Sequence, residues 1–128
     1  MNHIVSPDSI APPAAAYAHG VVSEAPSRIL HTAGVVPIAP DGTVPDSIAA
    51  QAETVWASLL AILEAADMNP RDVVSVVTYA VVGVDLGPVM AARDSALGDH
   101  IAASTLVTVP ALVRPEWRVE VAVVAVAS

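Results

Sequence analysis

A chain of 128 residues with 13 acidic side chains against five basic ones, for a formal charge of −8, has the length of one domain and an acidic surface. All five cations are arginines and none cluster; such a surface repels phosphate backbones, so nucleic-acid binding is the first function set aside. Apolar residues make up 55% of the chain and charged residues only 14%, too little polar surface to cover a monomer, and a homo-oligomer that buries the excess is expected.

Cysteine is absent, which excludes a disulfide framework, a thiolate nucleophile and a thiolate metal site. The opening residues Met1 to Asp8 lack the basic and apolar blocks of a secretory leader. The longest apolar stretches are interrupted by Ser75 and Thr78, or by Glu120, so no membrane span is expected and the cytoplasm is the expected address.

In chain order, the first third reads as strands and turns. Tyr17 to Val22 forms a short run, a turn follows around Pro26, and Arg28 to Ala33 forms a second run that stops at Gly34. A third, weaker strand is expected near Val35 to Ile38, before the Asp41-Gly42 turn signal. Ser47 to Ala66 has apolar residues at helical spacing (Ile48, Ala52, Val55, Leu59, Ile62, Leu63), with Ser47 as N-cap and Pro70 beyond its end. Asp72 to Val82 is a valine-rich strand with little alternation, the pattern of a strand covered on both faces, by helices and by a neighbouring subunit. A second helix spans Leu86 to Leu97, opened by Asp85 and Pro88 and closed by Gly98. Strands over Ser104 to Val109 and Trp117 to Ala127 complete a βββαβαββ order: one domain over residues 1–128, α+β, one mixed sheet with two helices on one face.

Glu120 is the residue that the pattern does not explain. It is the one charge between Val119 and the chain end, on the same strand face as Arg118, Ala122 and Val124. A carboxylate in such a run is costly unless paired. The structural reading, favoured from the residues alone, is an ion pair with Arg118; the functional reading is a carboxylate that holds a water or shuttles a proton. The four histidines show no metal-ligand spacing, and no sequence feature calls for a metal or a cofactor. Ser104 and Thr105 offer hydroxyls outside any nucleophile elbow, and no glycine-rich phosphate loop is present.

Several segments together resemble the Rid family of reactive-intermediate (enamine/imine) deaminases, once described as translation inhibitors or endoribonucleases. These are Ala11-Pro12 with Tyr17-Ala18-His19-Gly20-Val21, Ala33-Gly34-Val35-Val36-Pro37, Gln51-Ala52-Glu53 with Ile62-Leu63-Glu64-Ala65-Ala66, Asp72-Val73-Val74, and Val119-Glu120-Val121. The resemblance implies a chorismate-mutase-like fold and a homotrimer whose intersubunit clefts bind a small carboxylic acid or imine. It implies Tyr17 and Glu120 as catalytic groups, with Ala33, Gly34, His19, Met90, Ala103, Ser104, Thr105 and Arg118 around the substrate. One position departs: Ala103 stands where the family carries the arginine that grips the substrate carboxylate. Thr105 replaces the usual cysteine, and Met90 falls where asparagine is common. Alanine cannot make a bidentate carboxylate contact. The expectation is therefore a divergent enzyme acting on a less anionic small substrate, with His19, Arg93, Arg114 or Arg118 as substitute cations, or a non-catalytic trimer that binds a metabolite or partner.

Overall fold

The structure is a computed structural model covering Met1–Ser128. Its elements, in order, are β1 (Asn2–Val5), β2 (Gly20–Ser23), β3 (Arg28–His31), α1 (Ile48–Ala65), β4 (Val73–Val81), α2 (Leu86–Leu97), β5 (Ala103–Val109) and β6 (Val119–Ala127). The βββαβαββ order holds, and β3 falls within the expected run Arg28 to Ala33, but the other two N-terminal strands differ from those expected. Asn2–Val5 is a strand, antiparallel to β2, although its short run next to Ser6-Pro7-Asp8 gives no periodic signal. Of the run Tyr17 to Val22 only Gly20 onward is strand, and Val35 to Ile38 contributes only an isolated bridge, Val35 to Val121.

The single mixed sheet is likewise corrected to two. A two-stranded sheet, β1-β2, lies beside a four-stranded one in the order β3-β6-β4-β5, parallel between β4 and β5 and antiparallel elsewhere. A bridge from Ala18 to Ala103, at the free edge of β5, links the first segment to the larger sheet.

The helices begin and end where side chains satisfy their free backbone groups. Ser47 accepts from the Ala50 amide at 3.1 Å to start α1. Arg28 places its guanidinium on the Ala66 and Asp67 carbonyls at 2.7 and 3.2 Å, a cation at the negative end of the helix. Asp85 caps α2 through the Gly87 amide at 3.0 Å, and Gly98, at φ +63°, ends it in a conformation that favours glycine. Between α1 and β4 the turn Pro70–Asp72 is held by a reciprocal cap of Asn69 and Asp72.

Both helices cover one face of the larger sheet. Val55, Trp56, Leu59 and Leu63 of α1, with Val89 and Leu97 of α2, pack on Val73, Val76, Val119, Val121, Val123 and Ala125. Leu59 is fully buried, a position at which truncation to alanine costs about 2–5 kcal/mol. By length and composition α1 is apolar enough to cross a membrane, in contrast to the sequence-based expectation; here its apolar stripe faces the sheet and α2. Its buried Gln51 ties it to the start of β6: the amide nitrogen donates to the Pro45 and Glu116 carbonyls at 2.9 and 2.8 Å, and the amide oxygen accepts from the Arg118 backbone at 3.0 Å.

Alternation in the strands turns Val77, Tyr79 and Val81 of β4, Glu120, Ala122 and Val124 of β6, and Thr105 and Val107 of β5 to the opposite face. These residues remain exposed or only partly buried. The chain's own helices therefore cover one face of the sheet and leave the other, largely apolar, face open.

Candidate functional site

Glu120 projects from the open face through a defect in the sheet. His31 pairs with Val124, and the next partner of β6 on that side is Val35, opposite Val121. The chain advances four residues (31 to 35) where β6 advances three (124 to 121), which makes a bulge with one extra residue. Thr32 stabilises it by accepting the Val123 amide on Oγ1 at 2.9 Å and donating to the Ala33 carbonyl at 2.8 Å. The bulge sets Gly34 directly against the Glu120 carboxyl. A Cβ at Gly34 would overlap Glu120 Oε2 and stand 2.7 Å from Cδ, so the absence of a side chain here is what leaves the carboxyl its place. The carboxylate lines a cleft of about 410 Å3 with Tyr79, Val109, Ala111, Leu112 and Val113.

Glu120 does not pair with Arg118. The Arg118 guanidinium instead bonds the Asp46 carbonyl, while its backbone amide bonds Gln51. The Glu120 carboxyl has no hydrogen bond or ion pair within the chain, so both oxygens remain free to accept from a water or a ligand. The structural ion-pair reading is thereby overturned: Gln51 anchors the start of β6 and draws Arg118 toward the N-terminus of α1.

A second cleft, of about 330 Å3, lies beyond the edge of β5 on the α2 side and is lined by Ala15, Tyr17, Met90, Arg93, Ser104 and Leu106. Tyr17 packs edge-on against His19, ring centroids 6.1 Å apart, and its hydroxyl accepts from the Ala14 amide at 3.3 Å. His19 itself turns away, its Nδ1 3.0 Å from the Ser6 hydroxyl. Arg93 is only 5% exposed. Its Nε donates to Asp94 Oδ1 at 3.0 Å and its Nη1 to Ser104 Oγ at 3.2 Å. Nη2 also lies 3.0 Å from Asp94 Oδ1, but its hydrogens are not aimed at that oxygen, and it has no hydrogen-bond acceptor.

The expected site residues thus fall into two groups. Tyr17, Met90 and Ser104 share the cleft beside α2, whereas Glu120 and Gly34 meet at the bulge, and no residue lines both clefts. Ala33 is exposed beside Gly34, Ala103 sits at the Ala18 bridge, and Thr105 is exposed on the open face opposite Val77. Arg118 and His19 line neither cleft. Among the four cations considered as substitutes, only Arg93 lines a cleft with Tyr17. Its position seven residues into α2, one turn beyond Met90, was the available signal, but helical spacing alone does not say which face meets Ser104. Tyr79 and the 111–113 loop were not anticipated, because their approach to Glu120 depends on strand register. No three His, Asp or Glu side chains gather as a metal-ligand set.

Two helices on one face of a mixed, bulged sheet, with clefts at its open face and free edge, define the chorismate-mutase-like α+β class. Residues 8–127 match the family model described as endoribonuclease L-PSP, and the chain belongs to that family, the Rid/YjgF group. The Rid-family protein YyfB from Yersinia pestis, itself of unknown function, superposes with a TM-score of 0.86 at 28% identity over 98% of both chains. The YjgF protein of E. coli superposes at 0.72 with 28% identity over 88% of each. E. coli TdcF with bound serine shares the fold, TM-score 0.73, at 20% identity over 98% of this chain and 99% of its own. No curated protein sequence matches.

Proposed function

We propose that this chain is a divergent Rid-type enzyme of the cytoplasm that hydrolyses an imine or enamine of a small metabolite, or catalyses a related water or proton transfer. The reaction takes place in a cleft completed by a neighbouring subunit of a homotrimer. The observation that carries this reading is Glu120: a half-buried carboxylate on an apolar sheet face, seated against Gly34 with no partner of its own. A scaffold would fill that position with valine at lower desolvation cost.

In the hydrolysis, Glu120 takes a proton from water as the water oxygen bonds to the imine carbon, and the electron pair of the C=N bond moves to nitrogen. The proton held by Glu120 passes to that nitrogen to give a carbinolamine; Glu120 then takes the hydroxyl proton and relays it to the amino nitrogen as the C–N bond breaks, so that ammonia leaves and the carbonyl forms. Tyr17 orients the ligand. The separation of Glu120 from the Tyr17 cleft within one chain supports self-association, since the open sheet face is where a second copy would bring the two together. A ligand in TdcF as small as serine is consistent with clefts of this size. Despite the family's description, RNA is a poor substrate for a chain of charge −8.

Glu120→Gln tests the reading, because glutamine keeps the shape and hydrogen bonding but cannot accept a proton near neutral pH. With imines generated in place by an amino-acid oxidase and followed as 2-oxo acid formation, turnover is expected to fall by about 10²-fold or more, with the melting temperature retained. Unchanged turnover, or no turnover by the native protein, favours the alternative, a non-catalytic trimer that binds a metabolite or partner.

A further inference from the structure

The chain has two tyrosines, and their hydroxyls meet different surroundings. The Tyr17 hydroxyl accepts from the Ala14 amide, whereas the Tyr79 hydroxyl makes no hydrogen bond within the chain. The buried polar atoms left without a partner are Asn2 Oδ1, Arg93 Nη2 and Trp117 Nε1; the Tyr79 hydroxyl and the Glu120 carboxyl, also unbonded, keep access to solvent. Tyr79 and Glu120 are direct partners across the antiparallel β4–β6 pair, so their Cβ atoms stand about 4.5–5.5 Å apart on the open face. They are the polar side chains of the cleft of about 410 Å3, whose other walls, Val109, Ala111, Leu112 and Val113, are hydrocarbon. A free carboxylate accepts a proton, and a phenolic hydroxyl donates a hydrogen bond to an oxygen that gains charge. Side by side in an apolar cleft, the two are the parts that enolise a carbonyl compound.

We propose that the Glu120 cleft catalyses proton transfer at the carbon next to a carbonyl, that Tyr79 is its second catalytic residue, and that the substrate is a small neutral ketone or aldehyde. Glu120 takes the α-proton, the electron pair of that C–H bond forms a C=C bond, and the π pair of the C=O bond moves to oxygen. The enolate oxygen accepts from the Tyr79 O–H. The proton on Glu120 returns to carbon, or exchanges with solvent before it returns, so no co-reactant is consumed. The class of substrate follows from the lining. No arginine or histidine lines this cleft, so a substrate carboxylate would face Glu120 unneutralised, whereas the valine, alanine and leucine walls suit a hydrocarbon skeleton. This inference rests on the proposed reading of Glu120 as a free proton acceptor, and it adds a reaction that needs no imine.

The experiment follows the loss of α-proton NMR signals in D2O with the full chain and two probes, cyclohexanone and pyruvate. For cyclohexanone, kcat is expected to exceed the exchange rate constant in protein-free buffer by at least 10³-fold. Pyruvate methyl exchange is expected to stay at its buffer rate. Glu120→Gln is expected to abolish the acceleration. Tyr79→Phe should lower kcat by about 10²-fold, the effect of removing one oxyanion donor, with KM and melting temperature retained. Phenylalanine keeps the ring and its packing, so a merely structural role for Tyr79 predicts native exchange in that variant. A smaller acceleration of cyclohexanone, equal acceleration of pyruvate, or native exchange in either variant overturns the assignment. The two reactions can fail separately: exchange without imine turnover removes the proposed hydrolysis and leaves the enolisation standing, and imine turnover without exchange does the reverse.

Discussion

Replacing Gly34 with alanine separates a positioning role of the bulge from a merely structural one. The added Cβ would lie 2.7 Å from Glu120 Cδ and 3.1 Å from Cγ, inside contact distance. The atoms it meets belong to the far end of a flexible side chain, so Glu120 moves and the backbone need not. Forcing the glutamate into a less favourable rotamer costs about 0.5–1.5 kcal/mol. Gly34 is not in the left-handed region, so alanine is tolerated there, and loss of glycine's freedom in the unfolded chain returns about 0.4–1 kcal/mol. The two nearly cancel, and the melting temperature should change by no more than ~5 °C for a chain of this length. Turnover, in contrast, should fall by about 10²-fold, the effect of displacing a reacting group by an ångström. Thermal unfolding and imine turnover are measured on the same preparation. A large loss of melting temperature would mean that the bulge cannot yield and that its glycine is structural. Native turnover would mean that the position of Glu120 over Gly34 has no bearing on chemistry.

Light scattering should give three times the chain mass, and Val124→Asp, which puts a charge on the open sheet face, should give monomers with the secondary structure retained; a native monomer would remove the intersubunit cleft from the argument. In the 39–43 turn, the Thr43 hydroxyl and amide both donate to Asp41 Oδ1, at 2.7 and 3.0 Å, and together hold its carboxyl below the usual carboxylate range. Because the folded value is the lower one, the stability this turn contributes is present above the ordinary carboxylate pKa and is lost as pH falls through the depressed folded value. The Thr43 amide shift should report that transition in acid and lose it in Asp41→Asn; a midpoint at or above the ordinary carboxylate value would contradict the hydrogen-bonded turn.

Much of the α+β framework is local and could be read directly. Asp85 and Gly98 bracket α2, and Ser47 starts α1, because capping residues satisfy backbone groups within a few positions of themselves. The valine-rich runs over β4 and β6 mark the centre of the sheet. The anomaly of Glu120 was equally visible, since a charge in an apolar strand needs no partner to be conspicuous. What lay outside the reach of pattern was every pairing between distant segments. Asn2–Val5 becomes a strand only because β2 offers it an edge, and Val35 forms one bridge in place of a strand because an extra residue interrupts the register at Gly34.

The same division runs through the site. Glu120 and Ser104 could be singled out from the residues and Tyr17 and Gly34 through the family resemblance, but their separation into two clefts could not. Charge and alternation set Arg118 beside Glu120 on one strand face, and a competing carbonyl at Asp46 took its guanidinium elsewhere. Arg93, one arginine among five in the sequence, acquires its character from burial between α2 and β5. A side chain's identity sets what it can donate or accept, whereas its partner, its exposure and its neighbours are set by segments far along the chain, and only the packed structure brings those together.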